Sequence, residues 1–361
     1  MRFKKSALAC MALLGVLAAC SRIETADTSA AQIPTDAITA DRTVKTASLQ
    51  GAYAVPSPFQ ARRCINMGNA LEAENEGDWG YKIEARHFQY IKQAGFDTVR
   101  IPIKWDAHTQ SRPPFRIARP FMERIKQVVG QAQANGLGVI IDVHHYEDFI
   151  NNPRQEFARF QAIWGQISTV FRGAPSNVYF EILNEPTRAI SNSDLNQIYA
   201  QIIPMIRRTN PTRPIIIGGN SWNSVDTLGA INWPADPNVI ATFHDYGPHA
   251  FTHQGAEWMD PVFPMGTQWG SRADYQDLKD TYSLANGFAS RARRQVLVGE
   301  FGVIDRIDAR ARANWLAHRR RAIESSGFSW CVWDFAGAFS LFDIKNNRWK
   351  PGVLNALTGQ P

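Results

Sequence analysis

The sequence has few cysteines and only a modest excess of positive charge, and both facts limit what it can be. Its 361 residues include four cysteines, too few for a disulfide framework. Lys and Arg exceed Asp and Glu by six, and no basic run alternates with aromatic residues as on RNA-binding surfaces. No segment repeats with the period of a solenoid. The sequence therefore predicts no disulfide-stapled scaffold, no repeat array and no nucleic-acid partner.

The apolar content is high enough for one large core. Hydrophobic residues make up 44% of the sequence, beside 25 glycines and 20 prolines, so the chain can bury one large core or two ordinary ones. We favour one domain, and we expect a monomer. Three arginine-rich stretches fall within helical patterns and are interpreted as solvated helix faces; they are Arg207-Arg208, Arg291–Arg294 and Arg319–Arg321.

The first residues are typical of an export signal. Three basic residues precede an apolar stretch from Ala7 to Ala19, which is too short to span a bilayer. The stretch ends in Leu17-Ala18-Ala19-Cys20, which resembles the lipobox of bacterial lipoproteins. That resemblance implies that residues 1–19 are removed, leaving a net charge of +3, and that Cys20 is lipidated and anchors the chain to a membrane. The alternative is an ordinary cleaved signal, a secreted protein and an incidental Cys20.

A tether and a catalytic domain are predicted to follow the signal. Residues 20–57 are rich in Ala, Thr, Ser, Asp and Pro and are expected to form a flexible tether, whereas residues 58–361 form the domain. Ser21 after the lipidated cysteine, instead of Asp, favours the outer membrane in a Gram-negative host, facing the periplasm or the cell surface. Two cysteines remain, Cys64 and Cys331, and they form either a bridge or two buried thiols.

From Ala61 onwards, short apolar runs alternate with amphipathic stretches. The runs predict eight strands: Cys64–Met67, Thr98–Ile101, Val139–Val143, Val178–Leu183, Ile215–Ile217, Val239–Phe243, Val296–Gly299 and Phe328–Val332. The stretches between them predict helices near Ile83–Ala94, Pro120–Asn135, Gln155–Phe171, Asp194–Thr209, Ser271–Arg293 and Ala309–Ser325, with a shorter element at Ser224–Ile231. Such alternation favours parallel strands with right-handed crossovers. We expect an α/β fold, a single (β/α)₈ TIM barrel, because no G-x-G-x-x-G turn follows the first strand.

Two glutamates come where predicted strands end. Glu185 follows the fourth strand, and Glu300 comes at the end of the seventh. Carboxylates on two strands of one barrel can flank a glycosidic bond. Taken alone, either glutamate could instead cap a helix or form a structural ion pair. Glu181, inside the fourth strand, is interpreted as structural and paired with a basic residue inside the barrel.

Further polar and aromatic residues also follow strand ends, which all meet at one face of a barrel. They are Asn66, Arg100, His144, His145, Asn184, His244, Tyr246 and Trp333. Several of them stand in motifs that resemble glycoside hydrolase family 5, the cellulase family A, and its bacterial endoglucanases in particular. The matching segments run from about Cys64 to the end of the chain: Met67–Glu72, Val99–Pro102, Asp142–His145, Glu181–Pro186, His244–Tyr246 and Gly299–Gly302.

The resemblance implies a retaining endo-β-1,4-glucanase that acts on β-glucan and needs no metal or cofactor. Glu185 would be the acid/base and Glu300 the nucleophile. Arg100 and Tyr246 would support Glu300, and Asn184 would bind the sugar 2-hydroxyl. The remaining polar residues, Asn66, His144, His145 and His244, would support the glutamates or bind sugar hydroxyls. Trp333 would form a platform beneath a sugar ring. Six loop aromatics either extend the cleft or pack in the core; they are Trp79, Trp105, Tyr146, Trp222, Trp258 and Trp269.

Other functions remain open on the sequence alone. The same family includes β-mannanases, licheninases, xyloglucanases and exo-glucosidases, although His249–Trp258 resembles the sixth-strand loop of bacterial endoglucanases. A metal-dependent barrel hydrolase would use Asp142, His144 and His244 as ligands. A lipoprotein that binds glycans without cleaving them is a third hypothesis.

Overall fold

Eight parallel strands close into a barrel, which confirms the predicted (β/α)₈ fold. The computed structural model describes residues 59–187 and 189–359, so the predicted signal, lipobox and tether lie outside the described residues. The strands, paired in chain order with β8 against β1, are β1 Arg63–Asn66, β2 Thr98–Ile101, β3 Gly138–Asp142, β4 Val178–Glu181, β5 Ile215–Ile217, β6 Val239–His244, β7 Val296–Phe301 and β8 Ser329–Val332.

Helices follow the strands and form the outer layer. They are α1 Ala85–Gln93, α2 Arg119–Ala134, α3 Glu147–Asn151, α4 Pro153–Val170, α5 Asn192–Arg207, α6 Asn220–Asn223, α7 His249–Thr252, α8 Arg272–Ala292, α9 Ala309–Ser325 and α10 Val353–Thr358. The six long helices lie where the apolar periodicity predicts them, and the element predicted at 224–231 is a 3₁₀ helix, Val225–Ala230. A hairpin of β9 Phe342–Asp343 and β10 Arg348–Trp349 was not predicted. None of the described helices is long and apolar enough to cross a membrane.

The barrel interior changes from apolar to polar along the strands. Near their N-terminal ends it holds a buried apolar cluster: Phe59, Ala61, Cys64, Ile140, Tyr179, Ile216, Ile240, Leu297 and Cys331. Successive side chains alternate between the two faces of a strand, so the inward position after Cys64 is Asn66, after Ile140 is Asp142 and after Tyr179 is Glu181. The layer above the cluster is therefore polar, at the end of the barrel where active sites lie.

Cys64 and Cys331 form a disulfide, which settles the alternative that the sequence left open. They are register partners on β1 and β8, the first and last strands. The bridge therefore joins the two ends of the sheet inside the barrel.

Two of the arginine-rich stretches are not the solvated helix faces that we expected. Arg319 in α9 is fully buried and pairs with Asp245. Arg207 is also partly buried, and its Nε lies 2.6 Å from Asp236. Apolar periodicity assigns arginine to the exposed face by default, and it misses an arginine whose acidic partner comes from a distant loop.

Candidate active site

A buried arginine on β2 organises the polar layer. Arg100 is fully buried, and its guanidinium donates to both carboxylate oxygens of Glu181 at 2.6 and 2.9 Å. It lies 2.9 Å from Oδ2 of Asp142. Glu181 thus has the structural ion pair that the sequence predicts. An arginine held by two carboxylates in a low-dielectric interior is fixed in place and can act as a rigid donor.

The same guanidinium contacts three further residues at strand ends. Its Nη1 donates to Oε1 of Glu300 at 2.8 Å and to Oδ1 of Asn66 at 2.9 Å. Its Nη2 donates to Oδ1 of Asn184 at 2.8 Å. Asn66 in turn donates to the carbonyl of Gly299 at 3.2 Å, next to Glu300 in the chain. Arg100 therefore ties together side chains from β1, β4 and β7.

Each of the two predicted catalytic glutamates has a hydrogen-bond partner at the end of β6 or just after it. Tyr246 donates its hydroxyl to Oε2 of Glu300 at 2.8 Å. Nδ1 of His244 lies 2.7 Å from Oε1 of Glu185. Glu185 has a left-handed backbone, with φ of 41°, which is uncommon for a residue other than glycine and recurs at functional sites.

The two glutamates are close enough to act on one bond. A carboxylate oxygen of Glu185, one of Glu300 and a ring nitrogen of His244 all lie within 4.8 Å of one another. Burial raises the pKa of Glu300 and of Glu185 to about 7, although 27% of the Glu185 side chain stays exposed. Arg100 and Tyr246 both donate to Glu300 and favour its carboxylate form.

Burial disfavours the charged form of the histidines at the site. Burial lowers the pKa of His244, and it lowers that of His144 far below its ordinary value. Nδ1 of His144 lies 2.8 Å from Oδ2 of Asp142. His145 lies at the rim, where its ring meets Trp79 edge to face at 5.9 Å. The carbonyl of His145 accepts from Lys104, which the sequence analysis did not single out.

Trp333 lies half-buried at the end of β8, beside His144. The two rings are stacked at 8° with centroids 6.0 Å apart. A Cβ at Gly68 would lie only 2.7 Å from the Trp333 ring, so the glycine gives the indole its space. Asp334 follows Trp333 and is fully buried, and its Oδ2 accepts from Nδ2 of Asn69 at 2.5 Å. Sequence reasoning missed Asp334, whose only signal was its position after the platform.

The six loop aromatics divide into two groups. Trp79, Trp222 and Trp258 are exposed, and Trp269 is partly buried. Trp105 and Tyr146 are fully buried and have polar partners in Asp142 and Glu156, so packing is the correct reading for both. Trp222 lies in a turn of three left-handed residues, 221–223, whose backbone contacts the carbonyl of Pro186 at 3.3 Å.

The described residues do not form the metal site of the alternative hypothesis. Within 59–187 and 189–359, the group of three potential ligands that converges is Glu185, His244 and Glu300, not Asp142, His144 and His244. The converging atoms already belong to the hydrogen bonds of the two glutamates. The arrangement is a close pair of carboxyl groups, one bonded to Arg100 and Tyr246 and the other beside His244.

Known proteins resemble this chain in sequence and in fold. The model of the family described as cellulase (glycosyl hydrolase family 5) matches residues 64–338. Endoglucanase H of Acetivibrio thermocellus is 37% identical over 311 residues, which cover 83% of this chain and 33% of that protein. The chain therefore spans about a third of the length of this curated relative.

Solved structures extend the likeness to the whole described fold. Cel5A of Thermotoga maritima, in complex with cellobiose, is 36% identical with a TM-score of 0.80, covering 82% of this chain and 97% of that one. The same enzyme in complex with mannotriose gives the same values. Cellulose synthase subunit Z of Clostridioides difficile is 32% identical with a TM-score of 0.81, covering 83% of this chain and 100% of that one.

Proposed function

Because this chain belongs to glycosyl hydrolase family 5, the cellulase family, we propose that it is a retaining endo-β-1,4-glucanase. One observation carries the proposal: oxygens of Glu185 and Glu300 lie within 4.8 Å of each other. Retaining glycosidases have carboxyl groups about 5–5.5 Å apart, whereas inverting ones need about 6.5–9.5 Å to admit a water. The spacing supports direct attack by a carboxylate.

The reaction proceeds in two displacements. Glu300, ionised beside Arg100, attacks the anomeric carbon while Glu185 gives its proton to the departing glycosidic oxygen. A covalent glycosyl–enzyme forms at Glu300. Glu185, now a carboxylate, takes a proton from water, which attacks the same carbon and releases the sugar with net retention. Tyr246 and Arg100 hold Glu300 as nucleophile in the first step and stabilise it as leaving group in the second.

Substrate contacts come from the groups around the pair. Oδ1 of Asn184 is held by Arg100, so its amide NH₂ is oriented as donor to the sugar 2-hydroxyl, a contact that tightens as positive charge develops. Trp333 offers an apolar face to a pyranose ring. Trp79, Trp222 and Trp258 are exposed, and their indoles offer further apolar faces that suit a polymer more than a short sugar.

A purified preparation of the protein would be tested on carboxymethylcellulose, barley β-glucan, glucomannan, mannan and xylan, with product lengths followed over time. We expect mixed oligosaccharides from the glucans at early times. Release of glucose alone would overturn endo action, and no cleavage of any glucan would overturn the substrate. β-Mannan is the second candidate, since the related Cel5A was solved with mannotriose.

Two variants of the assay separate the remaining hypotheses. A chelator should leave the rate unchanged, because the two glutamates and water supply every proton transfer; loss of activity would favour a metal-dependent hydrolase. Glu185→Gln should abolish cleavage of the glucans while binding persists. If the unaltered protein binds glucans but cleaves none, the non-catalytic hypothesis replaces the proposal.

We further propose that Cys20 is lipidated and that residues 20–57 tether the domain of residues 58–361 to the membrane. This domain lies outside the cytoplasm and is a monomer. The Cys64–Cys331 disulfide supports an oxidising compartment. Radiolabelled palmitate should enter the chain in a bacterial host, and Cys20→Ala should lose the label and leave the membrane fraction. Equal labelling of both chains would refute lipidation at Cys20. Light scattering would measure the oligomeric state.

A further inference from the structure

The end of β6 and the two residues after it contact both glutamates through alternate side chains. His244 contacts Glu185, and Tyr246 contacts Glu300. Asp245, between them, contacts Tyr282 and Arg319 in the outer helices instead. Its amide donates to the carbonyl of Glu300 at 2.9 Å, so the segment is fixed to β7 at that point. The position of Asp245 therefore decides where both neighbouring side chains lie.

Asp245 is held from the outer helices. Its Oδ2 accepts from the hydroxyl of Tyr282 in α8 at 2.8 Å and from Nη1 of Arg319 in α9 at 3.0 Å. Its Oδ1 accepts from the amide of Gly247 at 3.3 Å. Asp245 is 5% exposed and Arg319 is fully buried, so solvent hardly screens the ion pair.

Two residues after Asp245, the carbonyl of Gly247 is hydrogen-bonded to helix α9. The carbonyl of Gly247 accepts from Nη2 of Arg319 and from Nε1 of Trp315, the latter at 3.0 Å. The guanidinium lies over the Trp315 ring at 5.1 Å. Arg319 thus donates hydrogen bonds to Asp245 and to Gly247, the residues on either side of Tyr246.

This ion pair is an inefficient way to stabilise a barrel. Nε of Arg319 is buried and has no acceptor in the described part of the chain. Desolvation of two charges offsets most of their attraction, and well-packed apolar residues commonly stabilise such a position as well or better. Unlike apolar side chains, the pair fixes the orientation of its partners, because a planar guanidinium holds its acceptors in one plane.

We propose that Arg319 and Asp245 are positioning residues, which hold His244 and Tyr246 in hydrogen-bonding distance of Glu185 and Glu300 from outside the barrel. Neither residue touches the reacting atoms. The expected effect on kcat rests on the proposed function, whereas the effect on the positions of His244 and Tyr246 does not. A displacement of about 1 Å at a reacting group can lower a rate 100-fold.

The test compares Arg319→Met with Arg213→Met. Arg213 is also a buried arginine. It donates to the carbonyls of Pro175 and Val178 at the N-terminal end of β4, away from the two glutamates. We expect Arg319→Met to lower kcat for a cello-oligosaccharide roughly 10- to 100-fold with KM within about threefold. Arg213→Met should lower the melting temperature comparably and leave kcat within about twofold.

Crystal structures of the unaltered protein and of Arg319→Met supply a readout that needs no substrate. We expect the 2.8 Å contact between Tyr246 and Glu300 to lengthen beyond hydrogen-bonding distance in the variant. If both glutamate contacts and kcat are retained, the positioning role is refuted. If the unaltered protein cleaves no glycan, the proposed function fails while the crystal structures still decide the positioning.

A paired variant covers the case in which Arg319→Met does not fold. Asp245→Asn with Arg319→Met removes both buried charges together, so neither is left without a partner. We expect it to fold and still to show the loss of kcat and the displaced Tyr246. Retention of the unaltered geometry and kcat in the paired variant would overturn the proposal equally.

Discussion

Nη1 of Arg100 lies 2.8 Å from Oε1 of Glu300, below the strand ends and with no exposed surface on the arginine. Two other carboxylates, Asp142 and Glu181, compensate the same cation. The contact therefore has two effects: it favours the carboxylate form of Glu300 against burial, and it balances charge in the barrel interior. Stability and reactivity at this site depend on one side chain.

Arg100→Met is expected to destabilise the barrel strongly. It leaves Asp142, Glu181 and Glu300 buried without their cation, and removing one partner of a buried ion pair costs about 3–5 kcal/mol. Urea unfolding would measure the free energy. Arg100→Lys keeps the charge but not the planar donor set, so it should be destabilised less and still lose most activity. A methionine variant as stable as the unaltered protein would contradict this account.

The roles of the glutamates can be separated with azide. Glu300→Ala should abolish turnover, and azide should restore it by occupying the vacated space and attacking directly, which gives an inverted glycosyl azide. Glu185→Ala with an activated aryl cellobioside should instead give a glycosyl azide of retained configuration, because Glu300 still forms the covalent intermediate. Proton NMR of the products reads the configuration. Identical stereochemistry from both variants would show that the assignment is wrong.

The rate should fall on both sides of a pH optimum. Burial raises the pKa of Glu185 to about 7, so the acid loses its proton as pH rises through that region and kcat/KM falls. At lower pH Glu300 gains a proton and can no longer attack. The two limbs report apparent values of the coupled pair, not of single residues. Kinetics on a cello-oligosaccharide across pH would measure them.

A substrate that needs no acid provides the control for the pH profile. Dinitrophenolate leaves without protonation, so the alkaline limb of kcat/KM should disappear for dinitrophenyl cellobioside while the acid limb remains. An alkaline limb that persists with this substrate would mean that the loss of activity at high pH has another cause than Glu185.

Gly68→Ala should disturb the platform without changing any polar group. The added Cβ would lie 2.7 and 2.9 Å from two ring carbons of Trp333, and a rigid indole can only move away. We expect a loss of about tenfold in kcat/KM on glucans, similar to that of Trp333→Ala. Gly130→Ala is the matched control, because its Cβ meets nothing within 4 Å. Similar kinetics for Gly68→Ala and the control would refute the role of this contact.

Much of this arrangement could be predicted from the sequence because it depends on local patterns. Apolar runs of strand length alternated with helical periodicity, and that pattern alone indicates parallel strands and a common face for their ends. Residues such as Asn66 and Arg100 were grouped because they lie at the ends of predicted strands, which meet at one face of a barrel. Their grouping needed no knowledge of loop conformation, and the structure brings them within hydrogen-bonding distance.

What could not be predicted depends on contacts between distant parts of the chain. Arg319 was assigned to solvent because nothing in α9 shows that Asp245, 74 residues away, meets it. The β9–β10 hairpin has strands of two residues, too short to show periodicity. Trp105 and Trp222 are both loop tryptophans in sequence, and only the packing distinguishes the buried one from the exposed one.

The disulfide should stabilise the barrel through its unfolded state. Cys64 and Cys331 are separated by 267 residues, so the bridge closes almost the whole domain into one loop and lowers the entropy of the unfolded chain. Reduction should lower the free energy of unfolding by about 5–6 kcal/mol, measured by urea titration with and without dithiothreitol. Cys64→Ala with Cys331→Ala should be destabilised similarly and be insensitive to the reductant. If reductant destabilises that variant too, the effect does not come from this bridge; if the unaltered protein is indifferent to reduction, the bridge does not constrain the unfolded chain.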